Sequence, residues 1–212
     1  MSKLGIICAM EEELAPFVSL RDERLLLIKS GVGKVNAAIA TMEVIQQGAE
    51  QVLVVGVAGA VNPSLKTGDV VIAKGAIQYD VDATALGFKL SEIPFAARSR
   101  WNADPRLVEE LLEATHGLGI TTYGGCVLTG DRFVANAEEV ARLRRDFNGA
   151  CLDMETAAVA QACDAKRIPW AALRVMSDGA DEQGPKDFAQ FLVSSAQKAA
   201  RIVERLSSLR SA

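Results

Sequence analysis

The chain has 212 residues, half of them hydrophobic but only 5% aromatic, and a formal net charge of −4. That length suits one domain able to bury a substantial core, and short runs of Ala, Val, Leu and Ile separated by Gly suit strands and helices packed in layers. The excess of acids, with no Lys/Arg cluster beyond Arg142-Leu143-Arg144-Arg145, argues against a chain built to neutralise nucleic-acid phosphates. That basic stretch reads as a solvated helix face. Cys8, Cys126, Cys151 and Cys163 show neither paired zinc spacing nor a bridge framework, so reduced thiols in a cytoplasmic protein are expected. The amino-terminal apolar run of about six residues is too short for a signal peptide or a membrane span. His116, the single histidine, precedes Gly117 and reads as a helix C-terminal capping residue. A histidine-centred triad or a multi-histidine metal site is thereby disfavoured.

In chain order, residues 4–8 predict a short strand ending at Ala9-Met10-Glu11-Glu12-Glu13, where acids open a helix through Pro16 to Leu20. Acids in a first turn suit the helix dipole, which accounts for two of the glutamates and leaves one placed to point inward. Residues 25–28 predict a second strand, entering Lys29-Ser30-Gly31-Val32-Gly33-Lys34-Val35-Asn36 and then a helix over 37–47. Glycine turns of this kind let backbone N–H groups approach a ligand. The Walker spacing is missing, however, and Asn36 stands at the last glycine of a GxGxxG, which disfavours dinucleotide or triphosphate binding.

Residues 51–55 predict a third strand running into a second glycine turn, Gly56-Val57-Ala58-Gly59-Ala60, and residues 70–73 a fourth. The segment 79–88 and the loop 94–101 lack a clear period and carry apolar residues that need a cover, which a partner subunit could supply. Residues 105–116 predict a helix, and 121–128 a strand ending in Thr129-Gly130-Asp131-Arg132-Phe133. Asn136 with Glu139 forms a capping-box pattern for a helix over 138–146. A short strand over 150–152 leads through Asp153-Met154-Glu155-Thr156 into a helix over 157–165. Residues 186–209 predict a final amphipathic helix.

The stretch Trp170-Ala171-Ala172-Leu173-Arg174-Val175-Met176 reads as a strand buried on both faces and interrupted by one charge. Ser177 and Asp178 follow it, where ligands bind in open α/β sheets. Asp178 is the first candidate for a catalytic acid, although Asp178-Gly179 also reads as a turn. The recurrent βα order puts Glu13, Glu155 and Asp178 at strand carboxyl ends, which one rim of a mostly parallel sheet would bring together.

Six blocks, namely residues 9–13, 29–38, 80–88, 129–131, 153–157 and 174–181, together resemble the 5′-methylthioadenosine/S-adenosylhomocysteine nucleosidase family, in the family's order and across residues 3–191. The resemblance implies a three-layer α/β/α nucleoside phosphorylase-like fold with a central mixed, mostly parallel sheet, residues 1–212 forming a single nucleosidase/phosphorylase-like domain. It also implies a homodimer and hydrolysis of the N-glycosidic bond of adenine thionucleosides without metal or cofactor. Carried onto this sequence, Asp178 resembles the acid that protonates adenine N7, Ser177 the residue that positions it, and Glu13 the acid that activates water. Glu155 would bind the ribose hydroxyls, with Met154 beside the sugar and Arg174 near the water and Glu155. Phe133 would stack on adenine while the Val134 backbone meets the base edge. Met10, Val32 and Phe188 resemble the wall of the 5′-substituent pocket, and Ala83, Leu86 and Pro94 the part lent by a partner subunit.

The residue types suit that chemistry on their own terms. Breaking a C–N glycosidic bond through an oxocarbenium-like state needs an acid for the leaving base and carboxylate charge near the sugar. Glu13 would repel phosphate but not water, which favours hydrolysis over phosphorolysis. Val57 departs from the small hydroxyl residue common in the family's glycine turn, and the chain is short between Leu14 and Lys29. Taken singly, the residues have plainer readings: Met10 and Met154 as core fillers, Phe133 and Phe188 as core aromatics, Asp80 and Asp82 as solvated loop charges. Three alternatives keep the fold: a nucleosidase for futalosine-type menaquinone precursors, a purine nucleoside phosphorylase, and a silent nucleoside-binding protein.

Overall fold

The computed structural model describes residues 2–20 and 22–211. Among these, eight strands form one sheet: β1 (Leu4–Cys8), β2 (Leu25–Lys29), β3 (Gln51–Ala60), β4 (Val70–Gln78), β5 (Arg100–Asn102), β6 (Thr122–Thr129), β7 (Gly149–Asp153) and β8 (Trp170–Asp178). Five pairings are parallel and three antiparallel. β8 lies between β3 and β4, parallel to the first and antiparallel to the second. β6 and β7 continue from β4, and β7 returns to β3 by an antiparallel pairing of Gly59 with Leu152 and Ala60 with Cys151. The five strands β3, β8, β4, β6 and β7 therefore close a ring. β1 and β2 extend the open side of β3.

Six α-helices among the described residues cover the sheet: α1 (Glu11–Val18), α2 (Lys34–Gln46), α3 (Pro105–Gly117), α4 (Ala137–Phe147), α5 (Thr156–Lys166) and α6 (Gly184–Leu209). Alternation along each strand sends side chains to opposite faces. Ile6, Leu53, Ile72 and Leu173 pack with α1, α3 and α6, whereas Ile7, Val54, Val71 and Ala172 pack with α2 and α5. The result is a three-layer α/β/α arrangement. Each fully buried Leu or Ile in it is worth about 2 kcal/mol of apolar burial.

Several elements differ from expectation. Residues 56–60 are not a turn but the second half of β3, whose glycines make room for side chains crossing the strand: a Cβ at Gly56 would lie 2.4 Å from Glu13 Oε1. β4 runs on to Gln78, past a register shift between Ala73 and Gly75. The loop after it carries one unforeseen strand, β5, whose three residues are too few to show a period. His116 lies in the last turn of α3 and not at its cap; the turn closes through the Gly119 N–H to His116 carbonyl bond, with Gly119 at φ 66°. Asn136 does cap α4, accepting from the Glu139 N–H at 2.8 Å, but the Glu139 carboxylate binds Arg132 in a two-pronged pair and does not reach back to the cap. No described helix is long and apolar enough to cross a membrane.

Candidate active site

Glu13, in the first turn of α1, turns inward while Glu11 pairs at the surface with Lys29. Its Oε2 accepts from the Ala9 and Met10 N–H groups at 2.9 and 3.1 Å, and Oε1 from the Val57 N–H at 2.9 Å. This carboxyl thus ties the end of β1 to the middle of β3. Burial pushes its pKa up, while Arg174 and the three N–H donors pull the other way.

Arg174 is completely buried in β8, so its charge needs partners inside. It pairs with Asp153 at the end of β7, donates through Nη2 to Thr156 Oγ1 at 2.9 Å, and stands 3.7 Å from Glu155 Oε2. Thr129 Oγ1 donates to Asp153 at 2.6 Å, and the Asp153 carboxylate receives the Thr156 N–H at the start of α5. Glu155 Oε1 accepts from the Gly33 N–H at 3.0 Å, where φ of 99° aims the peptide inward. Here the glycine turn after β2 serves a carboxylate of its own chain. One buried guanidinium thus faces Glu13, Asp153 and Glu155. Desolvation, only partly offset by Arg174, pushes Glu155 up to about 7.

Asp178 ends β8. Its Oδ2 accepts from Ser177 Oγ at 2.7 Å and its Oδ1 from the Ala180 N–H at 2.8 Å. Ala180 has φ 52°, a left-handed conformation that costs on the order of 1 kcal/mol in a non-glycine residue. Gly59 leaves the space for it, since a Cβ there would lie 2.9 Å from the Ala180 Cβ. Burial raises the Asp178 pKa, Ser177 and Ala180 oppose the rise, and Asp181 and Asp187 add to it.

These groups surround one cavity of about 320 Å³. Glu13, Glu155, Ser177 and Asp178 line it together with Met10, Val32, Val57, Phe133, Val134, Met154 and Phe188. Phe133 and Phe188 are not core aromatics: their rings meet edge to face at 5.8 Å beside the cavity, and Phe133 is 50% exposed. Arg174, expected near Glu155, and the three residues expected from a partner subunit are outside the lining of this cavity. Arg174 sits behind the wall, held chiefly by Asp153 and Thr156, because a charge in a fully buried strand is drawn to the nearest buried acid. Ala83, Leu86 and Pro94, expected to be lent by a partner subunit, do not line this chain's own cavity, and Leu86 is 73% exposed.

The carboxyls do not converge along a single parallel rim. β7 runs against β3, and the two carboxyl ends meet where Gly59 pairs with Leu152. Sequence reasoning missed Asp153, Thr156 and Thr129, although a lone arginine in an apolar strand signals a buried acid partner. It also missed a clasp beside the glycine turn after β2. Asp80, expected to be a solvated charge, binds Lys34 Nζ at 2.7 Å and the Asp131 N–H at 2.9 Å, while Asp131 accepts from the Lys34 N–H at 2.8 Å. The described residues contain no cluster of three or more His, Cys, Asp or Glu side chains arranged to hold a metal ion.

An apolar, part-open cavity lined by Glu13, Asp153, Glu155 and Asp178 on a ring-closed α/β sheet has the make-up of an enzyme site that works by acid–base chemistry. The sequence profile of the phosphorylase superfamily matches residues 17–208, and the chain belongs to that family. Within it the chain falls among the 5′-methylthioadenosine/S-adenosylhomocysteine nucleosidases and their near kin, N-glycosyl hydrolases. It is 35% identical to the 5′-methylthioadenosine/S-adenosylhomocysteine nucleosidase of Geobacillus thermodenitrificans, over 95% of this chain and 94% of that one. It is 34% identical to the aminodeoxyfutalosine nucleosidase of Campylobacter jejuni, over 97% and 98%. The crystal structure of the Neisseria meningitidis 5′-methylthioadenosine/S-adenosylhomocysteine nucleosidase with methylthio-immucillin-A superposes with a TM-score of 0.94 at 32% identity, covering 99% of this chain and 100% of that one.

Proposed function

We propose that this chain hydrolyses the N-glycosidic bond of 5′-methylthioadenosine and S-adenosylhomocysteine, and of 5′-deoxyadenosine, releasing adenine. The observation that carries the reading is the meeting of Glu13, Glu155 and Asp178 around one cavity, with Arg174 engaged behind them. Adenine lies against Phe133, its edge at the Val134 backbone. Asp178, its pKa raised by burial and its carboxyl oriented by Ser177 and the Ala180 N–H, protonates N7. The base leaves neutral, and the ribosyl cation faces Glu13 and Glu155. Glu155 exchanges its bond from the Gly33 N–H for the ribose hydroxyls, and Met154 packs beside the sugar. Glu13 takes the proton of the attacking water. Phosphorolysis is the weaker reading, since Arg174 is already paired with Asp153 and Arg132, which lines the cavity, with Glu139.

In the same reading residues 1–212 act as one nucleosidase domain, working in the cytoplasm in methionine salvage without metal or cofactor. The active form is a homodimer. Val35, Ile39, Leu86 and Phe95 are 71%, 62%, 73% and 94% exposed, and they supply apolar surface for a second copy whose Ala83, Leu86 and Pro94 cover the 5′ end of the substrate. A second reading, hydrolysis of aminodeoxyfutalosine, is favoured by the Campylobacter jejuni relative. It uses the same acids and passes the larger 5′ group through the mouth beside Val32, which is 46% exposed.

The test is adenine release in phosphate-free buffer from methylthioadenosine and aminodeoxyfutalosine in parallel, with light scattering for the oligomer. Fast release from the first is expected. Turnover of the second alone transfers the protein to menaquinone synthesis; dependence on phosphate makes it a phosphorylase; binding without release makes it a silent nucleoside-binding protein.

A further inference from the structure

A second cavity, of about 420 Å³, opens where the first residues of β6 and β7 meet β5 and the middle of β4. Its wall differs sharply in charge from the rest of this acidic chain. Lys74, Arg100 and Arg144 line it, and no acidic residue does. None of the three cations takes part in an ion pair among the described residues. Asn62, Asn102 and Asn148 add three amide side chains to the same wall. The space exists because its floor lacks side chains: a Cβ at Gly124 would lie 2.4 Å from Lys74 Cε, so that glycine lets the lysine lie across the strand. Arg144 comes from the basic stretch of α4 that the sequence presents as a solvated face; only Arg144 of its three arginines reaches the cavity, while Arg142 pairs with Asp146 and Glu139.

Three cations held within one concavity repel each other, and an anion that accepts several hydrogen bonds relieves that repulsion. Arginine forks and amide N–H groups match the oxygens of phosphate better than a lone carboxylate, which offers two oxygens where six side chains converge. The volume lies within the range of small-molecule sites. A concave pocket on a chain of net charge −4 does not suit an extended nucleic-acid backbone. We propose that this cavity is a binding site for a small polyphosphate group, carried by an inorganic polyphosphate or by a nucleotide, separate from the nucleoside cavity.

The experiment is calorimetric titration of the intact protein with pyrophosphate, tripolyphosphate and ATP at low and moderate salt. Saturable tripolyphosphate binding that weakens with salt is expected. Arg100→Gln and Arg144→Gln are each expected to weaken it about tenfold. Arg142→Gln, on the same helix but off the cavity, should leave it unchanged. Tighter binding of ATP than of tripolyphosphate assigns the group to a nucleotide, and equal binding assigns it to the inorganic ion. Cys126 supplies an independent readout, because it lines the cavity and is part-exposed while Cys8, Cys151 and Cys163 are buried. Its alkylation by an uncharged maleimide should slow when tripolyphosphate is present. Absence of saturable binding, binding unaffected by both cavity variants, or preference for a single-stranded oligonucleotide overturns the proposal. None of these outcomes depends on nucleosidase turnover.

Discussion

Gly56→Ala tests how the catalytic carboxyl is housed. The added Cβ would lie 2.4 Å from Glu13 Oε1, 2.6 Å from Arg174 Nη1 and 3.0 Å from Glu13 Cδ. Those contacts are about 1 Å inside an ordinary separation of roughly 3.5 Å. Neither neighbour yields easily, since Glu13 is tied by three N–H donors and Arg174 by Asp153 and Thr156. Overpacking of this kind costs about 1–3 kcal/mol, and losing the charge-assisted bond from the Val57 N–H adds roughly 1.5–3 kcal/mol. The expected destabilisation is therefore roughly 2.5–6 kcal/mol. A catalytic group displaced by about 1 Å should lose on the order of 100-fold in kcat/KM. Urea unfolding followed by Trp fluorescence, with steady-state adenine release on the folded fraction, measures both. Activity within about threefold of wild type, with stability unchanged within about 0.5 kcal/mol, would refute the crowding argument.

Asp178→Asn should lower kcat by about 10²–10⁴-fold while methylthioadenosine still binds, because the amide keeps the shape but supplies no acid proton; near-normal turnover defeats the mechanism. The pH dependence of stability should carry the Glu155 signature. Burial raises this carboxyl to about 7 in the folded protein from 4.5, so the unfolded chain gives up its proton first and stability falls as pH rises between those values. Wild type should lose stability relative to Glu155→Gln by up to roughly 1.4 kcal/mol per pH unit across that window, levelling off above it; a pH-independent difference rules this out. Val57→Ser places a hydroxyl on the cavity wall and should raise kcat/KM by roughly fivefold, the worth of one hydrogen bond of about 1 kcal/mol. A decrease would mark the valine as fitted to this enzyme's own substrate.

The layered fold and the acids were legible in the sequence because both depend on local signals. Alternating or continuous apolar runs marked β1, β3 and β8 and a shorter one β7, and an acid just past β1, β7 and β8 marked Glu13, Glu155 and Asp178. The extension of β3 through Gly56 to Ala60 was not legible, since glycine pairs signal turns locally and only the crossing Glu13 and Arg174 side chains explain them there. Asp80, Asp131 and Lys34 lie far apart in sequence, and nothing local tells a clasp from three solvated charges. The partners of Arg174 were half-legible: its burial demanded an acid, but Asp153 and Glu155 competed for it, and only the close of β7 onto β3 decides in favour of Asp153.

The position of β8 has a consequence for how the chain comes to be folded. The last strand in sequence occupies the middle of the ring, between β3 and β4, and it contributes both the buried arginine and the acid that ends the strand. Until it is in place, the facing edges of β3 and β4 have unpaired N–H and C=O groups, the template for sheet-to-sheet aggregation. A nascent chain emerging amino end first must keep that slot open through the synthesis of β5, β6 and β7, then admit a fully buried strand, charged arginine included, as a wedge. Slow steps and chaperone dependence should therefore gather at this insertion, and activity should arrive in one step with it.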